Sequence, residues 1–156
     1  METVLALDLG KSTGWAMSRR HTPRTPGIMS GTWDLGAKNC MALRFYRLQQ
    51  LLEKSLPPID HIVTELPFVH AKSGQQSRLS VFGYVAIAMC FAAKSGITLS
   101  TVAPTAVKKW VAGSGKAPKV DMAMKLLSLY PKQEFTSLDQ SDALGILIYY
   151  LDKKDD

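Results

Sequence analysis

The order of the predicted strands and helices constrains the fold of this chain more than any other feature of its sequence. Three apolar segments at 4–7, 14–18 and 28–35 come first, separated by stretches rich in glycine, proline and charged residues. Apolar, β-favouring segments bounded by such residues are typical of strands that pair with their neighbours along the chain. The start of the chain is therefore predicted to be an antiparallel three-stranded meander.

Strands and helices alternate after this meander. Leucines at helical spacing predict a helix at 41–55 that ends before Pro57, and residues 59–65 are predicted to form the next strand. The other predicted elements are a helix at 75–94 closed by Gly96, a strand at 97–102, and helices at 104–111, 118–130 and 136–151. A crossover helix makes the fourth strand parallel to the first. The predicted fold class is thus α/β, with a mixed five-stranded sheet flanked by helices.

The composition is typical of one globular domain that spans residues 1–156. Hydrophobic residues make up 46% of the chain and charged residues 21%, which is enough for a core without disulfides or structural metals. Cys40 and Cys90 lack the spacing of a disulfide framework or a zinc site. The longest apolar run, at 81–93, is shorter than the roughly 20 residues that span a bilayer, and the N-terminus lacks the basic segment of a signal peptide. We therefore expect a reduced, cytoplasmic protein without a membrane span.

Basic residues are concentrated in one part of the chain. The formal net charge is +6, and residues 66–120 contain no acidic residue. The basic residues of this segment are Lys72, Arg78, Lys94, Lys108, Lys109, Lys116 and Lys119. A one-sided basic segment is typical of a protein that binds a polyanion, because each phosphate contact releases condensed counterions. A solvated basic face is the alternative interpretation.

Four carboxylates are predicted to meet at one end of the sheet. Asp8 and Glu65 end apolar strands that we expect to lie side by side, and Asp139 and Asp142 share one face of the last helix. A carboxylate cluster is unfavourable unless cations neutralise it, so the pattern predicts a site for two Mg²⁺ ions, with Mn²⁺ as a substitute. Two such ions activate water and stabilise the leaving oxygen in phosphodiester hydrolysis.

Each carboxylate also has a purely structural interpretation. Asp8 is compatible with a turn and Glu65 with an exposed strand end. Asp139 and Asp142 lie near a helix N-terminus, where negative charge interacts favourably with the helix dipole. The order of an Asp on the first strand, a Glu on the fourth and an Asp pair on the last helix favours the metal site over these alternatives.

With this order, the residues resemble the RuvC-like Holliday junction resolvases of the ribonuclease H-like superfamily. Asp8 in LALDLG matches the family's first catalytic Asp, and Glu65 in IVTELPF matches its Glu. Asp139 and Asp142 in LDQSDALG match its closing acidic pair. The resemblance spans 4–148 and implies a ribonuclease H-like fold with strand order 3-2-1-4-5. It also implies a metal-dependent endonuclease that resolves four-way junctions and related branched DNA by paired hydrolysis of phosphodiester bonds. Compact chains of this kind are similar to phage-encoded resolvases, which act in the host cytoplasm.

The resemblance also assigns residues that bind DNA. The stretch AVKKWVAGSGKAPKV is similar to the family's basic segment, in which Lys108 and Lys119 match lysines near the scissile phosphate. Lys119 is therefore a catalytic candidate as well. Phe68 matches an aromatic residue that stacks on bases at the junction, and packing in the core is its alternative role. Gly113 and Gly115 match the family's G-x-G loop. Apart from the resemblance, Tyr84 is a second candidate for stacking, and the candidates for phosphate contacts are Lys72, Arg78, Lys109 and Lys116.

The helix predicted at 75–94 carries apolar residues around almost its whole circumference. A helix of this kind is buried on more than one side. The sheet accounts for one side, and either the core of the same domain or a subunit interface accounts for the other. The resemblance implies a homodimer, in which a two-fold axis places two active sites at opposed strands of a four-way junction.

Three other functions fit parts of the pattern. A ribonuclease H-like nuclease for structured RNA, of the pre-rRNA processing type, uses the same carboxylates. A non-catalytic module that binds branched DNA uses the same basic segment. An actin-like or sugar-kinase ATPase has a phosphate loop similar to DLGKSTG, but it needs a second domain that 156 residues do not provide. The sequence therefore favours a nuclease for branched DNA.

Overall fold

The computed structural model describes residues 2–19, 27–36, 40–54, 57–68 and 72–155, which form one five-stranded sheet with helices on both faces. In chain order the elements are β1 (Thr3–Asp8), β2 (Ser12–Arg19), β3 (Ile28–Asp34), α1 (Met41–Lys54), β4 (His61–Glu65), α2 (Gln75–Ser95), β5 (Thr98–Val102), α3 (Pro104–Ala112), α4 (Lys119–Leu129) and α5 (Leu138–Asp155). The strand order is β3-β2-β1-β4-β5. The first three strands pair antiparallel, and β4 pairs parallel with both β1 and β5. The predicted sheet and its order are confirmed; the predicted turn before β3 lies mostly at 20–26, outside the described residues.

The central strand β1 is buried on both of its faces. Successive side chains of a strand point to opposite faces, so Val4 and Ala6 belong to one core and Leu5 and Leu7 to the other. Helices α1 and α2 cover the Leu5 face, and α3, α4 and α5 cover the Val4 face. A strand that is buried on both sides reads as a continuous apolar run, which explains the sequence VLAL before Asp8.

The parallel pairing of β1 with β4 brings their C-terminal residues, Asp8 and Glu65, to the same end of the sheet. We call this the carboxyl end of the sheet. Helix α5 also begins here and lies directly on β2, since a Cβ atom on Gly14 would be 1.8 Å from the backbone oxygen of Asp139. Gly14 is the register partner of Asp8. The missing side chain at Gly14 therefore allows α5 to approach Asp8.

Helix α2 lies partly in the core and partly at the surface. Its buried side chains are Tyr84, Val85, Ala88 and Ala92. It ends, as predicted, at Gly96, whose φ of 66° is left-handed. By length and composition alone, α2 is the one helix in the described part of the chain that is apolar enough to cross a membrane, and core helices pass the same test. The helix has 21 residues and is longer than the apolar run at 81–93, so the absence of a membrane span stays a prediction.

Candidate active site

Three carboxylates lie together at the carboxyl end of the sheet. Asp8 ends β1, and Asp139 and Asp142 lie in the first turns of α5. One oxygen atom from each carboxylate lies within 4.8 Å of the other two. Asp142 is buried, and Asp8 and Asp139 are half-buried. Like charges at these distances repel one another strongly, so the group requires cations around it.

Glu65, the fourth predicted carboxylate, flanks this group. It ends β4 beside Asp8 but is not one of the residues whose oxygens meet within 4.8 Å. Burial raises the pKa of Glu65 above its usual value, and the charge of Asp142 raises it further. The charge of Glu65 in turn raises the pKa of Asp8. The four carboxylates are thus electrostatically coupled, with three close together and Glu65 further out.

Burial changes the acidity of the two innermost carboxylates. It raises the pKa of Asp8 from 3.8 to about 7; Lys119 opposes this rise, and the neighbouring carboxylates add to it. Burial also raises the pKa of Asp142, against the hydrogen bond from Lys119. Perturbed pKa values in a cluster of acidic groups are typical of functional sites. The carboxyl end of the sheet therefore has the electrostatic character of an active site.

Lys119, the first residue of α4, is the cation nearest to the carboxylates. Its Nζ lies 2.5 Å from Oδ2 of Asp142, 3.4 Å from Oδ1 of Asp139 and 3.7 Å from Oδ2 of Asp8. Burial lowers the pKa of Lys119, but the hydrogen bond to Asp142 and the surrounding carboxylates outweigh burial and raise that pKa above its usual value. Lys119 is therefore charged and neutralises part of the acidic group.

The chemistry of the group fits a divalent cation. All of its candidate ligands are carboxylate oxygens, which are the donors that Mg²⁺ and Mn²⁺ prefer. Oδ1 of Asp142 is buried and has no hydrogen-bond partner among the residues that the structure describes. A buried polar oxygen without a partner costs free energy, and a metal ion is a partner that would satisfy it.

The predicted DNA-binding cations lie at different distances from this site. The charge of Lys108, on α3, lowers the pKa of both Glu65 and Asp142, so it lies near them. Nε of Arg78 donates a hydrogen bond to the carbonyl oxygen of Ser73 at 3.0 Å. The three other predicted cations, all exposed, are Lys72, Lys109 and Lys116. The structure thus brings Lys108 and Lys119 to the carboxylates and leaves the exposed lysines on the surface.

The loop between α3 and α4 places Lys119 at the carboxylates. Gly113 ends α3 with a φ of 78°, a left-handed conformation that glycine adopts without strain. Gly115 lies against the start of α3, where a Cβ atom would be 3.1 Å from the backbone oxygen of Thr105. The two predicted loop glycines therefore allow the chain to turn back along α3 toward the carboxyl end of the sheet.

The two aromatic residues predicted to stack on bases lie in different surroundings. Phe68, three residues after Glu65, is 71% exposed, which excludes a place in the core. Tyr84 is 2% exposed, and its ring meets that of Phe45 edge to face with centroids 5.1 Å apart. The prediction for Tyr84 is wrong, because this residue lies on the side of α2 that faces the core.

Gly14 is the site residue that sequence reasoning missed. It lies inside β2, where glycine is unfavourable and often marks the close approach of another backbone. That signal was present in the sequence, but the approaching element, the first turn of α5, is more than a hundred residues away along the chain.

Comparison with known proteins identifies relatives along nearly the whole chain. Residues 4–150 match the family model described as crossover junction endodeoxyribonuclease RuvC. A protein of that name from Methylobacterium radiotolerans is 30% identical over 157 residues, which cover 97% of this chain and 74% of the relative. Another, from Rhizobium johnstonii, is 32% identical over 149 residues, which cover 93% of this chain and 86% of the relative.

Two solved structures share the fold. The Thermus thermophilus RuvC structure matches with a TM-score of 0.75 and 17% identity, and the match covers 97% of this chain and 96% of that one. The structure of T. thermophilus RuvC in complex with a Holliday junction substrate matches with a TM-score of 0.79 and 14% identity, and the match covers 99% and 96%. These matches confirm the ribonuclease H-like fold that the family resemblance implies.

Proposed function

The chain belongs to the RuvC family of crossover junction endodeoxyribonucleases, and from this premise we propose that it is a metal-dependent endonuclease that resolves four-way DNA junctions. One observation carries the proposal: Asp8, Asp139 and Asp142 meet within 4.8 Å, and a buried oxygen of Asp142 lacks a partner in the described part of the chain. Such a group supports phosphodiester hydrolysis once it binds metal.

The carboxylates Asp8, Glu65, Asp139 and Asp142 would hold two Mg²⁺ ions, with Mn²⁺ as a substitute. When bound, such ions activate a water molecule for attack and stabilise the leaving oxygen. The protein holds the oxygens in place, since Asp8 and Glu65 end paired strands and the other two lie on one helix. Ligands that are fixed before the reaction need little reorganisation during it.

We infer that Lys119 acts on the scissile phosphate. Its side chain is 46% exposed, so solvent and ligands have access to part of it. Bound metal would take over the neutralisation of Asp142 and Asp139 that Lys119 provides at 2.5 and 3.4 Å. The lysine would then stabilise the negative charge that develops on the phosphate during cleavage.

Residues around the site would bind the junction. Phe68, 71% exposed and close in sequence to Glu65, would stack on a base, which is worth about 1–3 kcal/mol in single-strand recognition. Basic side chains would contact the phosphates on either side of the cut. They are Lys72, Arg78, Lys108, Lys109 and Lys116.

An exposed apolar stripe on α2 supports a homodimer. Its members are three and four residues apart, as in a coiled-coil seam, and are Leu79, Phe82, Ala86, Met89 and Ala93. The three large members are 56%, 53% and 51% exposed in chain order. Two copies related by a two-fold axis would cover each other's stripe and would present two active sites to opposed strands.

The dimer is tested by light scattering at micromolar protein concentration. The substitution Phe82→Glu places a charge in the stripe and should yield monomers. Tyr46→Glu is the matched control, since Tyr46 is 57% exposed on α1 and lies outside the stripe. A wild-type chain that is monomeric while it cuts junctions would contradict the dimer.

We also propose that residues 1–156 form a single nuclease domain. All five strands of the described part belong to one sheet, and both helical layers pack on it. A cytoplasmic location and a phage origin stay predictions.

A labelled immobile four-way DNA junction, incubated with and without Mg²⁺, tests the proposed function. We expect nicks in two opposed strands when Mg²⁺ is present and none when it is absent. Duplex RNA and an RNA–DNA hybrid serve as competing substrates. Faster cleavage of either would favour a nuclease for structured RNA, and tight junction binding without cleavage would favour a non-catalytic module.

A further inference from the structure

Gln140 lies between the two carboxylates of α5 and is almost fully buried, with 4% of its surface exposed. Its side-chain oxygen accepts hydrogen bonds from the backbone N–H and the hydroxyl group of Thr136, at 2.9 and 3.0 Å. Its side-chain nitrogen donates to the backbone oxygen of Glu134 and to Oγ of Ser30, both at 3.0 Å. Both donors and both acceptor positions of the amide are therefore used, which fixes its orientation.

Ser137 makes a second link to the same strand. Its Oγ accepts a hydrogen bond from the backbone N–H of Gln140 at 3.1 Å, which caps the start of α5. The same Oγ lies 2.6 Å from Oγ1 of Thr32. Ser30 and Thr32 are two residues apart on β3, so both side chains point to one face of the sheet. We call Ser30, Thr32, Ser137 and Gln140 the β3–α5 clamp.

One member of the clamp, Thr32, lies in the same row of the sheet as Asp8. Asp8 is the register partner of Gly14, and Gly14 is the register partner of Thr32. Helix α5 lies on Gly14 in the middle of this row. The hydrogen bonds to β3 therefore fix the first turn of α5, and with it Asp139 and Asp142, relative to Asp8.

A helix cap alone does not account for this arrangement. Capping needs only a side chain at the helix start that accepts from the first free N–H groups, and Ser137 does this. The bond from Gln140 to Ser30 joins residues 110 positions apart and satisfies no free N–H group of the helix. Its structural effect is to hold α5 in place across the sheet.

We propose that Gln140 is a positioning residue of the metal centre, and that it acts through the β3–α5 clamp to set the distance of Asp139 and Asp142 from Asp8. This inference rests on the proposed function, because it concerns the same carboxylates. Outer partners that orient metal ligands typically change metal affinity or activity by about 10- to 100-fold when they are removed.

The test is the affinity of the metal-free full chain for Mn²⁺, measured by calorimetry. Gln140→Leu removes the whole amide network. Ser30→Ala removes the link from Gln140 to β3, together with the hydrogen bond that Oγ of Ser30 donates to Oε1 of Gln133 at 3.3 Å. We expect both variants to bind Mn²⁺ about 10- to 100-fold more weakly than the wild type. Ser30→Thr keeps the hydroxyl group and should restore the affinity.

Ser100→Ala on β5 is the matched control. It removes a comparable hydrogen bond, that of Ser100 Oγ with Nε2 of His61 at 3.1 Å, which links β4 to β5 and does not involve α5. Its Mn²⁺ affinity should equal that of the wild type, even if its melting temperature falls as far as that of Ser30→Ala. A change in stability without a change in metal affinity is thus the signature of a purely structural role.

Cleavage gives a second readout. For Ser30→Ala we expect a lower kcat with an unchanged KM for the junction, and a partial return of kcat at higher Mg²⁺ concentration. If Gln140→Leu does not fold, Ser30→Ala decides the matter alone. Wild-type Mn²⁺ affinity in folded Ser30→Ala would overturn the inference. A wild-type chain that binds Mn²⁺ but cuts no junction would overturn the proposed function and leave the affinity comparison to be judged by itself.

Discussion

Charged and polar groups have different partners at the two ends of the sheet. At the carboxyl end, three carboxylates share one lysine, Lys119, and a buried oxygen of Asp142 has no partner in the described ranges. At the opposite end, as far as the structure describes it, the charged groups and His61 each have a partner, and the buried polar atom that lacks one there is the uncharged Oγ of Ser18. The pairs are Glu2 with Lys154, Asp60 with the backbone N–H of Thr3, and His61 with Ser100. Both ends are built from β1, β4 and α5 or their flanking residues, so the fold alone does not produce this contrast.

The difference between the two ends shows where carboxylates outnumber the cations that contact them. Native structures satisfy nearly all buried polar groups, and an exception calls for an explanation. At the carboxyl end the exception is Oδ1 of Asp142. The neighbouring carboxyl group is that of Asp8, and burial raises the pKa of Asp8 to about 7. Among the described residues at the opposite end, Glu2 and Asp60 each have a partner of their own, and neither shares it with a second carboxylate. The excess negative charge at the carboxyl end therefore supports the proposal that cations bind there.

Among the variants that keep all four carboxylates, the largest effect is expected from Gly14→Ala, which tests whether α5 must lie directly on β2. The new Cβ would be 1.8 Å from the backbone oxygen of Asp139, so the first turn of α5 has to move away from Asp8. We expect single-turnover cleavage of a four-way junction to slow by about 100-fold, because a displacement of about 1 Å costs that much. Gly27→Ala is the control, since nothing lies within 4 Å of its new Cβ. Equal cleavage rates for Gly14→Ala and Gly27→Ala would contradict the claim that the site requires α5 to lie directly on β2.

A smaller effect concerns pH. Metal must compete with the proton on Asp8, whose pKa is about 7 in the metal-free protein. We expect the apparent Mn²⁺ affinity to fall about tenfold per pH unit below pH 7 and to level off above it. The affinity is measured from about pH 5.5 to about pH 8 in steps of about one pH unit. A constant affinity over this range would show that the proton on Asp8 does not compete with the metal.

The raised pKa of Asp8 also predicts how the free energy of unfolding depends on pH. The folded-state pKa of Asp8 lies above its unfolded value of 3.8, so the folded protein holds the proton more tightly. The contribution of Asp8 is favourable at low pH and is lost as pH rises toward about 7. Thermal unfolding of the metal-free chain should therefore show a smaller loss of stability over this range in Asp8→Asn than in the wild type. Identical pH profiles would contradict the raised pKa.

The smallest effect is expected at the opposite end of the sheet. Glu2→Gln removes the charge that meets Nζ of Lys154 at 2.6 Å, with both side chains partly exposed. A partly exposed ion pair contributes at most about 1 kcal/mol to stability. Junction cleavage should remain at the wild-type rate, and unfolding in urea should detect the small loss. A large loss of cleavage would show that the two ends are not independent.

Much of the fold was predictable because it depends on local patterns. Short apolar, β-favouring segments predicted all five strands, and helical spacing with capping and turn residues predicted the helices. The parallel pairing that places Asp8 beside Glu65 follows from the crossover connection. The same topology predicted that Asp139 and Asp142 would approach Asp8. These inferences need only the direction of each strand and the order of the elements.

Other contacts between side chains that are distant in sequence were not predictable from local patterns. Tyr84 lies on an apolar helix with no clear polar side, so the sequence did not show which face would turn to the core. The link from Gln140 to Ser30 depends on how closely α5 lies on the sheet, which no local pattern encodes. The position of Lys119 depends in the same way on the path of the loop before α4.

The most direct test of the central claim compares wild-type and Asp8→Asn protein on one labelled four-way junction. Asn keeps the shape of the side chain but removes the negative charge that a metal requires. We predict that Asp8→Asn binds the junction as tightly as the wild type in the absence of metal and makes no cuts when Mg²⁺ is added. Wild-type cleavage by Asp8→Asn would contradict the account, because the uncompensated carboxylates at the carboxyl end would then not be the catalytic centre.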